Sequence, residues 1–308
     1  MTFIEQLTSE FPIRRTQKQK EAFREWFIAW ARAQGYAAQA TTPRGSGQST
    51  NLIIGDVQGA QVVFTAHYDT PAASFLPNVM SPRSKLFYIA YQALQVAILI
   101  ALGVSVGVPL AAVTGDDGIG LFAGYAVYMG LLFLMLFGPA NRHNVNDNTS
   151  GVAALMETRV RIPSDARDKV AFLLFDNEEK GCVGSKVYAR AYPAIRDEKP
   201  VINLDCVGDG EHILLLAGEK MRALPWYPAL TEAFAAREGC KFEAFPLETS
   251  VFNSDQKRFK VNAALCACRK DKHIGYCCDR IHTSEDTVCE QRNLDYIAQG
   301  LAEFVTRL

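Results

Sequence analysis

Short apolar runs with no internal alternation set the frame of this chain. Gln61–Ala66, Lys169–Phe175 and Val201–Leu204 are rich in Val, Ile, Leu and Phe. They are too short for helices and too continuous for a half-exposed strand, so they predict strands buried on both faces. Lys241–Phe245 and Ala263–Cys268 predict two more. Between these lie segments of helical period. Phe23, Trp26, Phe27 and Trp30 recur at helical spacing between Lys18 and Ala33, which marks an amphipathic helix laying an aromatic stripe on a core rather than forming a binding cage. Gly151–Arg159, Tyr227–Ala236 and Asn293–Thr306 predict further helices. Helices alternating with buried strands imply an α/β fold, with a mixed, mostly parallel central sheet flanked by helices.

A different pattern interrupts this frame. Leu86–Val113 runs 28 residues without a charge and Ile119–Gly138 runs 20, broken only by Thr114-Gly115-Asp116-Asp117-Gly118. A membrane-spanning helix needs about 20 predominantly apolar residues to cross about 30 Å of hydrocarbon, and both segments meet that requirement. An amphipathic helix on a soluble protein would carry charge on its outer face. The two segments are therefore expected to form antiparallel helices that are apolar all round, a hairpin inserted at residues 84–139 between parts 1–83 and 140–308 of one domain. Pro109, Gly103 and Gly107 weaken the distal part of the first helix. The competing expectation is an apolar helical pair folded on a soluble domain or buried in a dimer.

The candidate chemistry sits where the apolar runs stop. One strand ends in His67-Tyr68-Asp69, the next in Asp176-Asn177-Glu178-Glu179 ahead of Gly181, the third in Asp205. Strand ends are where α/β sheets place their ligands. Alternate residues share a face there, so Asp69 is able to reach the far ring nitrogen of His67 and fix its tautomer. Adjacent glutamates on a solvated loop would be unremarkable, but at the end of an apolar strand they need a counter-charge. With Asn146-Asp147-Asn148 and His282, the set supplies the imidazole and carboxylate donors that zinc accepts. Two imidazoles and three carboxylates suffice for two ions, one carboxylate bridging, and a further acid stays free as a base.

These stretches resemble the co-catalytic zinc aminopeptidase family, which also includes glutamate carboxypeptidases and transferrin-receptor-like ectodomains. The matching motifs are His67-x-Asp69, Asp147-Asn148-Thr149-Ser150-Gly151, Asp176-Asn177-Glu178-Glu179-Lys180-Gly181, Asn203-Leu204-Asp205, Ser254-Asp255 with Phe259, and His282-Thr283-Ser284-Glu285-Asp286-Thr287. The resemblance implies two zinc ions bridged by Asp147, one also held by His67 and Asp205, the other by Glu179 and His282. It implies Glu178 as general base, Asp69 as the catalytic partner of His67, and a metal-dependent exopeptidase acting on the amino-terminal bond of a peptide or amino-acid amide. It also implies a cis bond between Asp147 and Asn148, which turns both carboxylate oxygens toward the metals. Manganese and cobalt accept the same donors.

Spacing refines the comparison. The related zinc acylase and carboxypeptidase family carries an additional domain between its last two ligands, whereas only 76 residues separate Asp205 from His282. Those residues already hold predicted strands, and independent domains seldom run below roughly 50 residues. The departure lies earlier, where 79 residues separate His67 from Asp147, most of them in the apolar hairpin. Two alternatives remain open: a glutaminyl-cyclase-like aminoacyl cyclotransferase with one zinc, and a catalytically silent binding module on this fold.

Charge and composition add limits. A net charge of −1 with no basic run beyond Arg14-Arg15 and scattered lysines predicts no nucleic-acid partner. Arg83, Lys85 and Arg142 flank the hairpin, and Asp116 and Asp117 lie at its turn, so the positive-inside rule places the catalytic part on the cytoplasmic side of a membrane. Met1-Thr2-Phe3-Ile4-Glu5 lacks the cationic start and apolar core of a signal peptide. Of eight cysteines, Cys266, Cys268, Cys277 and Cys278 cluster without the knuckle spacing of a structural zinc site. They are expected to be small apolar residues of a reducing compartment.

Overall fold

The computed structural model describes residues 1–45, 47, 49–235 and 239–308. In chain order the elements are α1 (Phe3–Glu10), α2 (Gln17–Ala33), β1 (Ala38–Thr41), β2 (Asn51–Ile54), β3 (Val62–His67), α3 (Lys85–Thr114), α4 (Asp117–Phe137), α5 (Gly151–Arg161), β4 (Val170–Phe175), α6 (Val183–Ala191), α7 (Pro193–Glu198), β5 (Pro200–Leu204), β6 (His212–Ala217), α8 (Glu219–Arg222), α9 (Tyr227–Ala235), β7 (Lys241–Pro246), β8 (Val261–Asp271), β9 (Gly275–Cys277) and α10 (Gln291–Arg307). The expected helix at Tyr227–Ala236 is α9. Its last expected residue, Ala236, lies outside the described residues.

Eight strands pair in the order β1-β2-β4-β3-β5-β8-β6-β7, with β9 hydrogen-bonded to β8. The centre, β4-β3-β5-β8, is parallel, and antiparallel pairs extend it on both sides. Alternate residues of the buried strands serve two helical layers. Val62, Phe64, Phe172, Leu174 and Ile202 face a core shared with α2, α5, α9 and α10. Val63, Ala171, Leu173, Phe175 and Val201 face Tyr188, Ala189 and Ile195 of α6 and α7. The mixed α/β sheet expected from the apolar runs is thus present, and burial on both faces explains why those runs show no alternation.

Helix α2 starts at a capping box, Thr16 bonding the backbone of Gln19 and Gln19 returning the bond. Its aromatic stripe packs as expected. Phe23 and Phe27 are buried, and Phe23 stacks on Tyr68 at 5.2 Å, tying α2 to the end of β3.

Helices α3 and α4 form the hairpin. Gly115, at φ +69°, closes α3 in the left-handed region, and Asp116 caps α4 by accepting the N–H groups of Gly118 and Ile119. Pro109 does not interrupt α3, which runs unbroken through it. The helices touch along a seam of small residues: a Cβ on Gly107 would lie 2.6 Å from the Gly120 carbonyl oxygen, and one on Gly103 2.7 Å from that of Gly124. Close backbone approach through small residues is how helices associate where lipid removes the hydrophobic drive. Both helices are long and apolar enough to cross a membrane, and only 17% and 6% of their most apolar stretches are buried, far less than in the core helix of a soluble protein. The bases of α3 and α4 rest on the domain, and most of the remaining hairpin surface is left uncovered by the rest of the chain, which leaves a bilayer or a second copy to cover it. Gly107→Ile is expected to force the helices apart and destabilise the hairpin by about 1–3 kcal/mol in detergent unfolding. Gly130→Ile, where a Cβ meets nothing within 4 Å, serves as the neutral control.

Candidate metal centre

His67, Glu178, Glu179 and Asp205 arrive at one place because β4, β3 and β5 are adjacent and parallel. His67 is the last residue of β3, Asp69 follows two positions later, Glu178 and Glu179 form a short helical turn after β4, and Asp205 directly follows β5. Asp147 comes from the turn Val145–Ser150 ahead of α5, and His282 from the segment between β9 and α10. All seven expected residues converge.

Asp147 lies between the two imidazoles. Its Oδ1 is 3.2 Å from His67 Nε2 and its Oδ2 is 2.9 Å from His282 Nε2. Asp205 Oδ1 is 3.8 Å from the same His67 nitrogen, and Glu179 Oε2 is 3.4 Å from His282 Nε2. Donor atoms of His67, Asp147 and Asp205 therefore form one group within 4.8 Å, and those of Asp147, Glu179 and His282 form a second. A third group of the same size joins His67, Glu178 and Glu179. The bond between Asp147 and Asn148 is cis, as expected.

Neighbouring groups hold these side chains in place. Asp286, in the last motif, accepts the backbone N–H groups of Asn146 at 2.8 Å and Asp147 at 3.0 Å. Asn148 donates to the carbonyl of Leu204 and accepts from Gly151. Only glycine fits at Gly151, where a Cβ would lie 2.3 Å from Asn148 Oδ1. Asp69 lies with Oδ1 3.5 Å from His67 Nδ1, and its two oxygens accept the N–H groups of Glu178 at 3.0 Å and Glu179 at 3.2 Å. His67 Nδ1 bonds the main-chain oxygen of Asp69 at 3.3 Å, so Asp69 orients the imidazole chiefly through its backbone while its carboxylate clamps the glutamate turn. Four non-glycine residues have left-handed backbone among those described: Asn177, Cys182, Cys206 and His282. Each belongs to or borders the site, and such residues cost roughly 1–3 kcal/mol apiece.

The cluster is acid-rich. Burial pushes Glu178 well above the usual carboxylate range, and the charges of Asp255, Glu179 and Asp205 add to it. Burial likewise raises Glu179 to about 8. Burial opposes ionisation of Asp147 too, yet bonds from His282 and His67 hold it well below its ordinary value. Burial disfavours a charged imidazole, but Glu179, Asp147 and Glu178 outweigh it and push His282 up to about 10. Carboxylates that draw protons onto both histidines form a site short of positive charge, which divalent cations satisfy. Glu179 Oε1 is buried without a hydrogen-bond partner, an orphan acceptor consistent with a ligand position. The donor set is therefore that of a zinc site.

Two buried cations escaped the sequence reading. Lys20, 1% exposed, places Nζ 2.5 Å from Asp176 Oδ1 and 2.7 Å from Asn177 Oδ1. Its signal was present: Lys20, Phe23, Phe27 and Ala31 share the buried face of α2, so a lysine lies within an apolar stripe. Arg14, fully buried, donates to the carbonyl of Tyr68 and to Thr149 Oγ1, joining the end of β3 to the Asp147 turn. No local pattern marks it. Lys20→Met is expected to destabilise the fold by about 3–5 kcal/mol, because it leaves Asp176 buried and unpaired. Denaturant unfolding measures the loss, and Lys20→Met with Asp176→Asn should recover part of it. Among the described residues, Cys266, Cys268 and Cys278 are packed in a core cluster and belong to none of the metal-competent groups.

A cavity of about 340 Å³ opens on the site, lined at one end by Asp147, Glu178, Asp205 and His282. Tyr88, Gln92 and Gln95 of α3 and Met135 and Leu136 of α4, at the bases of the hairpin helices, also line it.

Comparison with known proteins agrees with this geometry. No curated protein matches by sequence. Among solved structures the chain is similar to a glutaminyl cyclase of Porphyromonas gingivalis (TM-score 0.60, 14% identity, covering 99% of this chain and 96% of that one). It is also similar to the LapA aminopeptidase of Legionella pneumophila (0.57, 13%, 99% and 68%) and to a Zn-dependent exopeptidase of Parabacteroides distasonis (0.59, 13%, 98% and 95%). These likenesses show a shared fold. The model of peptidase family M28 matches residues 135–305, a span that contains Asp147, Glu178, Glu179, Asp205 and His282 and begins after His67 and Asp69. With more than half of its length matched, and with its ligand-type residues gathered at the ends of adjacent parallel strands, the chain belongs to peptidase family M28 and has the fold of a metallopeptidase-like hydrolase.

Proposed function

We propose that this protein is a membrane-anchored exopeptidase that uses two zinc ions to hydrolyse the bond after a free amino-terminal residue. The observation that carries the reading is Asp147, whose two carboxylate oxygens face two different histidines, each in its own group of three donors. His67 and Asp205 would hold one ion, Glu179 and His282 the other, with Asp147 between. Bound zinc supplies Lewis-acid polarisation of a carbonyl and lowers the pKa of water.

The chain's own groups do the rest. Glu178 lines the cavity and is needed by neither of the groups that share Asp147, so its carboxylate is free to act on a water held beside them. It takes a proton from the attacking water and delivers it to the departing amine as the C–N bond breaks. Asp69 keeps His67 and the Glu178–Glu179 turn in register. The acidic end of the cavity favours a protonated substrate amine. In this reading the hairpin inserts in the bilayer, and the positive-inside bias of Arg83, Lys85 and Arg142 supports a catalytic part on the cytoplasmic side.

The similarity to a glutaminyl cyclase supports a second reading, an aminoacyl cyclotransferase using one zinc. A metal-defined assay separates them, with amino-acid amides bearing free or acylated amines and a peptide beginning with glutamine. The expected result is two metal ions per chain, hydrolysis of free-amine substrates only, abolition by chelation and recovery with zinc. One ion per chain, with ammonia released only from the glutamine peptide, would establish cyclisation instead.

A further inference from the structure

We infer that the hairpin is a wall of the substrate cleft as well as an anchor, and that the cleft selects amphiphilic peptides whose apolar portion lies against α3 and α4 at the membrane surface. The inference deepens the exopeptidase reading and rests on it. Tyr88, Gln92 and Gln95 of α3 line the cavity, as do Met135 and Leu136 of α4. The first three recur at helical spacing, so one stripe of α3 faces the metal centre.

The sequence of the hairpin has a purpose at this level. Gln92 and Gln95 are the only amide side chains in either helix, and both occur where α3 passes the cleft. Gln95 Nε2 donates to the carbonyl of Pro77 at 2.9 Å, and so does the hydroxyl of Tyr91 at 2.5 Å. These bonds fasten α3 to the loop that follows β3. Gln92 has no protein partner among the described residues, which leaves its amide to meet a peptide main chain. Met135 and Leu136 are neighbours in sequence of exposed Phe133, Leu134 and Phe137, so the part of α4 that lines the cavity also carries exposed apolar side chains.

Helix geometry sets the depth of the cleft. From Val96 to Val113, α3 has 18 residues, about 27 Å at 1.5 Å per residue, close to the hydrocarbon thickness of a bilayer. The cleft therefore lies at headgroup level. A cavity of about 340 Å³ is at the low end for ligand sites, so the apolar tail of a longer peptide would extend past it along the exposed surface of α4.

The test uses the full-length protein in phosphatidylcholine nanodiscs and two substrates: a tetrapeptide amide with a free amine, and the same tetrapeptide as its dodecylamide. We expect kcat/KM to favour the dodecylamide at least tenfold, and Met135→Ala and Gln92→Ala each to cut that preference by about tenfold, mainly through KM. Val113→Ala, at the far end of the hairpin, should keep it. Equal loss on both substrates would reduce the hairpin to an anchor and overturn the inference while leaving the exopeptidase reading intact. If the wild type hydrolyses neither substrate, the exopeptidase reading fails. Calorimetric binding of the dodecylamide then decides the wall separately: weaker binding to Met135→Ala supports it, and unchanged binding overturns it.

Discussion

Replacing Glu178 with glutamine is expected to lower turnover by about a hundredfold to ten-thousandfold while leaving the metal content unchanged. The substitution keeps the shape of the side chain and removes its ability to take a proton. The backbone N–H of Glu178 is already held by Asp69, and Cys182 Sγ lies 3.3 Å from Glu178 Oε1, so the glutamine has a prepared place. The structure makes the prediction sharp because it offers a competing arrangement: His67, Glu178 and Glu179 also form a group tight enough for a metal. Elemental analysis beside steady-state kinetics distinguishes the two. Loss of metal together with activity would make Glu178 a ligand and remove its assignment as base.

Exchange of residues 84–140 for a short linker is expected to move the protein from carbonate-washed membranes to the soluble fraction. Each Leu, Ile, Phe or Val near the middle of a span favours insertion by about 0.3–0.6 kcal/mol. With no charge from Leu86 to Val113 or from Ile119 to Gly138, only the smaller costs of Gln92, Gln95, Pro109 and the glycines oppose that sum. The same exchange removes Tyr88, Gln92, Gln95, Met135 and Leu136 from the cleft, so the released protein should lose activity on long substrates more than on short ones. A full-length protein that is soluble and monomeric without detergent would show the hairpin to be a cap over the active site, and the membrane assignment would fall.

Local order made much of this molecule legible from its residues alone. Apolar runs without alternation marked strands covered on both faces, because a central strand has no solvent side to encode. Acids and a histidine at the ends of those runs marked the site, because the end of a parallel strand leads into a loop while its position stays rigid. The hairpin was equally plain, since a segment lacking charge over so many turns has no face for water.

Other features became visible only when distant parts of the chain met. Lys20 and Asp176 are 156 residues apart and form one buried ion pair. Arg14 joins Tyr68 to Thr149 across the interior. Asp286 belonged to a motif, yet its action on the backbone of Asn146 and Asp147 depends on packing. The hairpin read as an anchor beside a site, and only the fold places its base in the cleft wall.

Sequence by itself therefore determined which segments are strands, which are apolar helices and which side chains are ligand-type donors, since these follow from period, composition and short motifs. Tertiary structure decided how the two oxygens of Asp147 are divided between His67 and His282, which cations balance the buried acids, and that the bases of α3 and α4 line the cavity. Those are relations of distance and direction between residues far apart in the chain. Burial makes them matter, because a charge or an orphan donor in a low-dielectric interior must find its partner in space.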